Sequence, residues 1–121
     1  MVLLERLEKT KSIVDCAKLG FFQIFTNIND KEELRQYIPY SVIKLNKQDK
    51  KRNSELISTL ECYLSNKQSI RKTSELMNVH PRTVSYRLSK IVDLTGIEFD
   101  NSAEILAVRN GIIILKILEQ L

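Results

Sequence analysis

The chain has 121 residues, 43% hydrophobic and 28% charged, with a net charge of +4 and a pI of about 9.1. That bounds it to one domain, or one domain with a piece of another, and is too apolar for a disordered tail. Apolar runs such as Ile112–Leu115 are far too short to span a membrane, and "MVLLERLEKTK" lacks a secretion signal's pattern, so a cytoplasmic protein is expected. Cys16 and Cys62 stand too far apart for a metal knuckle or a redox pair and read as thiols in a reducing compartment. His80 is the only histidine, so no metal site and no cofactor is expected.

In chain order, Leu3, Leu7, Thr10, Val14 and Ala17 share a helical stripe, although "SIVDC" also carries strand-favouring residues and stays ambiguous. Gly20 interrupts, and "FFQIF" after it is strongly apolar. Asp30 with Glu33 has the spacing of a capping box, predicting a short helix over 31–38 that Pro39 ends. "NKQDKKRN" at 46–53 holds no apolar residue and reads as a linker or loop. It divides the chain into a front piece, 1–45, and a back piece, 54–121.

The back piece patterns as helices. Over 54–65, Leu56, Ile57, Leu60 and Leu64 fall on one face. Ser69 can cap a helix over about 70–77 with Ile70, Thr73, Leu76 and Met77 inward. Asn78 tolerates the left-handed backbone of a tight turn, and Pro81 suits the first position of the next helix, which Gly96 ends. Asn101 and Glu104 form another capping signature before a final helix over about 103–119. Apolar residues nearly encircle that helix, so it is expected to be buried on more than one side, by other helices or a second copy of the chain.

Charge is not spread evenly. Residues 65–90 carry six basic side chains and one acidic one, Glu75, whereas 91–121 carry two basic and five acidic ones. At about 100° per residue, Val84, Leu88 and Ile91 define the inner side of the helix over 81–94, with Arg82, Ser85, Tyr86, Ser89 and Lys90 around the outer side. No carboxylate precedes Asp93 on this helix, whereas a solvated face normally mixes both signs. The preceding helix, the short "NVH" turn with Val79 packed inward, and this helix together match a helix-turn-helix, whose second helix enters a major groove. In that reading His80, Arg82, Thr83, Ser85, Tyr86, Ser89 and Lys90 are the DNA-binding candidates, with Arg82 suited to a bidentate contact with guanine. Ser69, Arg71, Lys72 and Arg87 are the candidates for phosphate contacts. Four have a structural alternative: Tyr86 packs on a neighbouring helix, Arg87 pairs with Glu75 or another acid, Thr83 caps locally or contacts a phosphate, His80 shapes the turn.

The back piece resembles the C-terminal DNA-binding domain of the PucR/CdaR group of bacterial transcriptional regulators, and more distantly the Fis-type helix-turn-helix. The resemblance is carried by "TLECYL" at 59–64, "VHPRTVSYRLSKI" at 79–91 and "DLTGIEFD" at 93–100. His80, Thr83, Tyr86, Arg87 and Leu88 stand at the family's His-x-x-Thr-x-x-Tyr-Arg-Leu positions. Two positions depart from the pattern: Pro81 stands where arginine is frequent, and Ser74 where a small alanine is usual. Ser74's hydroxyl can bond back to a helical carbonyl. The resemblance implies an all-α fold, a helix-turn-helix domain over 54–121 preceded by a short, mainly helical segment. It implies that 1–45 is the remnant or linker of a preceding regulatory domain, in a fragment or a minimal relative.

The expected function is therefore sequence-specific binding of double-stranded DNA in transcriptional regulation, with a homodimer reading two half-sites. No small-molecule site and no membrane association is expected in this segment. The alternative is a protein–protein adaptor using the apolar C-terminal helix. No nucleophile–base pair, paired carboxylates or glycine-rich phosphate loop occurs, so an enzyme is not expected.

Overall fold

The structure is a computed structural model that describes residues 31–120. The stripe from Leu3 to Ala17, the interruption at Gly20, the cap at Asp30 and Cys16 lie outside the described residues. Within them the chain forms six α-helices and no strand: α1 (Lys31–Arg35), α2 (Tyr40–Arg52), α3 (Leu56–Ser65), α4 (Ile70–Met77), α5 (Pro81–Thr95) and α6 (Ser102–Gln120).

The described residues divide into two compact units, one of residues 38–112 and one that includes residues 31–37 and 113–120. In the latter, Leu34, Ile114 and Ile117 are buried. In the former, α2, α3 and α5 pack on one another, and α4 packs on α3 and α5. Its core is Val42, Leu45, Leu56, Leu60, Val84 and Ile91, with Ile97, Val108 and Ile112 also buried. Gly111 lies against Pro39 and Val42. A β-carbon there would run into the Pro39 ring, so the position demands the smallest residue.

Two expectations on the front piece need correction. The first helix ends at Arg35, short of 38: Gln36 and Tyr37 donate to the carbonyls of Glu33 and Leu34 in a tight turn. The residue before a proline is sterically held out of the helical region, so the turn must open before Pro39. Pro39 itself then caps α2, with extended backbone (φ −60°, ψ 149°). The second correction concerns 46–53, which is helical through Arg52. Lysine, glutamine and arginine are good helix formers, and burial of Val42 and Leu45 anchors the helix one turn earlier. A helix needs an apolar stripe somewhere along it, not in every turn.

The junction after α2 is built from polar contacts. Asn53 and Glu55 both adopt left-handed backbone (φ 51° and 56°), reversing the chain within a few residues. The Asp49 carboxylate accepts from the amides of Leu56 (2.8 Å) and Ile57 (3.0 Å) and from the Ser54 hydroxyl (2.9 Å). The free amides at the start of α3 are thus capped by a side chain of the preceding helix. In α3 itself Leu56, Thr59, Leu60 and Leu64 are buried, with Ile57 at the margin.

The later capping expectations match the structure. Asn101 Oδ1 accepts from the Glu104 amide at 3.2 Å, although the Glu104 carboxylate reaches the amide of Glu98 instead of Asn101's own. Gly96 closes α5 at φ 71°, donating to Val92 at 2.7 Å. Along α6, Leu106 is 60% exposed while Val108, Ile112, Ile114 and Ile117 are buried, so its apolar surface is covered on several sides but not all round.

Candidate nucleic-acid interface

The turn between α4 and α5 is set by local backbone chemistry. Asn78 takes the left-handed conformation (φ 56°), its amide donates to the carbonyl of Glu75, and the Val79 amide donates to that of Ser74 at 3.0 Å. This is a Schellman termination followed after one residue by a new helix. His80 caps that helix: its Nδ1 accepts from the Arg82 amide at 3.0 Å. Pro81 then fills the first helical position, where its missing amide hydrogen costs nothing. The imidazole accepts through Nδ1, which places the ring proton on Nε2 and leaves that nitrogen as a donor.

Helix α4 is tied at its other end by Ser69, whose hydroxyl accepts from the Lys72 amide at 3.1 Å, as the sequence predicts. Its buried face differs in part from the prediction. Thr73 is buried as expected and Met77 is half-buried, but Ser74 is buried too, whereas Ile70 is 37% and Leu76 66% exposed. The two inward hydroxyls are satisfied by the helix's own carbonyls, Thr73 on Ser69 and Ser74 on Arg71, each at 2.7 Å. Small residues on this face let α4 pack against both α3 and α5.

On α5 the helical wheel holds. Val84 and Ile91 are fully buried and Leu88 is 7% exposed, while Arg82, Ser85, Ser89 and Tyr86 (68%) are exposed. Thr83 and Lys90 sit at the margin on one flank. Among the described residues Arg82 and Lys90 make no ion pair, and no carboxylate shares the outer face before Asp93. The phosphate candidates at the start of α4 are also accessible: Arg71 is 80% exposed in a long 3.8 Å pairing with Glu75, and Lys72 is exposed.

Arg87 is placed differently from the rest. Its side chain is 15% exposed and forks between the Glu55 carboxylate (3.1 Å) and the Thr59 hydroxyl (3.2 Å), with Glu55, not Glu75, as its acid. Thr59 is fully buried and donates to the Glu55 carbonyl at 2.7 Å. Arg87 thereby ties α5 to the start of α3. Beside this tie lies an open depression of about 360 Å³, lined by Gln48, Arg52, Asn53, Ser54, Leu56, Thr83, Tyr86, Arg87 and Lys90. On its α2 side, Arg52 and Asn53 belong to the polar run 46–53, which carries no local signal of a site.

A short helix held at a tight left-handed turn against a second helix with an exposed, carboxylate-free outer face is a helix-turn-helix domain. Residues 56–114 match the family described as the PucR C-terminal helix-turn-helix domain, and this part of the chain belongs to that family. Two proteins of Bacillus subtilis (strain 168) are similar over most of this chain. They are the DNA-binding transcriptional activator AdeR, 30% identical over 78% of this chain and 22% of its own length, and the proline-responsive transcriptional activator PutR, 31% identical over 70% and 21%. The chain therefore spans about a fifth of the length of these relatives. No solved structure matches. Among the described residues, no helix is long and apolar enough to cross a membrane.

Proposed function

We propose that this chain binds double-stranded DNA sequence-specifically in transcriptional regulation, with α5 in the major groove. The observation that carries the reading is the outer face of α5. Arg82, Ser85, Tyr86 and Ser89 project together while Val84, Leu88 and Ile91 hold the opposite face in the core. The two relatives named as transcriptional activators favour the same reading, and favour activation over repression.

Each side chain takes a role from its chemistry. Arg82 offers two parallel donors to the O6 and N7 edge of guanine, a contact worth about 1–3 kcal/mol of discrimination. Ser85, Tyr86 and Ser89 donate to base edges or phosphates, and His80 offers its Nε2–H. Ser69, Arg71 and Lys72 take phosphates at the start of α4, where the amides of the first turn add positive potential. Arg87 orients α5 through Glu55 instead of reaching a phosphate. Two copies of the chain on adjacent half-sites supply the remaining affinity, with α6 and the front piece as the dimer surfaces, in the cytoplasm.

Selection of duplexes from a random pool, followed by mobility shift against competitor DNA, tests this. A recovered motif that Arg82→Ala blurs supports the reading. Absence of any preferred sequence defeats it, and would leave the apolar α6 as an adaptor surface.

A further inference from the structure

The depression beside α5 has a composition that its structural neighbours do not explain. One wall is the end of α2 with Arg52, Asn53 and Ser54; the other is the flank of α5 with Thr83, Arg87 and Lys90. No carboxylate lines it. The two nearest in sequence are engaged elsewhere, Glu55 by Arg87 and Asp49 by Ser54 and the start of α3. Among the described residues neither Arg52 nor Lys90 has an ion-pair partner. Lys50 and Lys51 follow on the same last turn of α2, both exposed. A basic last turn complements its own helix dipole. That does not account for Lys90, which comes from the middle of a different helix and meets Arg52 across the same concavity.

We propose that this depression takes a phosphate of the DNA backbone, in a contact set separate from Ser69, Arg71 and Lys72. The proposal rests on the major-groove reading of α5. A helix in the major groove lies between two phosphate strands, so its protein has reason to carry cations on more than one side. No residue of α4 lines the depression. Arg52 and Lys90 supply the charge, Arg52 with a planar fork suited to two phosphate oxygens. The Thr83 hydroxyl and the Asn53 amide add neutral donors. Arg87, also on the lining, is already paired with Glu55 and adds no net charge.

The test uses the whole chain and a duplex that the wild type selects from a random pool, with the dissociation constant measured across a chloride series. Arg52→Gln/Lys90→Gln removes two cations from accessible positions. The slope of log affinity against log salt should become shallower by roughly 0.9, the value for the loss of one phosphate contact, and affinity should fall by the same factor on selected and scrambled duplexes. Arg52→Gln alone, at an exposed position, should make the slope shallower in the same direction by less than the double variant does. Slopes and affinities equal to wild type in both variants overturn the proposal while leaving the α5 reading intact. Wild-type protein that binds no duplex removes both. At matched ionic strength inorganic phosphate should compete no better than chloride; selective competition by inorganic phosphate would make this a free-anion site and overturn the backbone assignment.

Discussion

Helices α4 and α5 lie side by side and are held by opposite means. α5 is fixed by an apolar stripe, Val84, Leu88 and Ile91, each buried. α4 is fixed by its ends and by two small hydroxyl residues, Thr73 and Ser74, while its leucine at 76 faces out. A helix of two turns offers few inward positions. Where it must pass close to two neighbours, side-chain volume decides those positions before hydrophobicity does. The longer helix has room for an ordinary core stripe, and its outer face stays exposed.

The largest effect expected from this contrast is on α5. Ile91→Ala should cost about 2–5 kcal/mol in urea unfolding, whereas Leu76→Ala should stay within roughly 0.5 kcal/mol. Equal losses at the two positions would erase the distinction. Next comes overpacking: Ser74→Leu should destabilise by about 1–3 kcal/mol even though leucine is the better helix former, because the closely packed face of α4 cannot admit it. The Arg87 tie should follow at about 1 kcal/mol for Arg87→Met, discounted because Glu55 is 56% exposed. A double-mutant cycle with Glu55→Gln should return a coupling of the same order, and zero coupling would mean that the pair does not help to anchor α5. The smallest effect is Ser74→Ala, within roughly 0.5 kcal/mol of wild type in the same unfolding assay, since the lost hydroxyl bond lies inside its own helix and alanine restores propensity.

The same contrast accounts for what the sequence could and could not reveal. The α5 stripe, the left-handed Asn78, the Pro81 start and the Gly96 stop are local signals, and each lies where the pattern predicts it. The inner face of α4 is hidden because apolarity favours Ile70 and Leu76 over Ser74. The helical 46–52 is hidden because its anchoring residues, Val42 and Leu45, precede the polar run. Arg87's partner was illegible for a further reason. Glu55 reaches it only after Asn53 and Glu55 itself turn through left-handed backbone, a long-range arrangement that no periodicity encodes. The α2 side of the depression is hidden for the same reason, since Arg52 stands at the end of that polar run.

The most direct test of the central claim is the ratio of affinities for a selected and a scrambled duplex, measured for wild type, Arg82→Ala and Tyr86→Ala at one salt concentration. The account predicts a clear preference in wild type that Arg82→Ala reduces by about 1–3 kcal/mol, with the fold intact by thermal melting. Unchanged affinity and unchanged preference in both variants would contradict the assignment of α5's outer face to the groove.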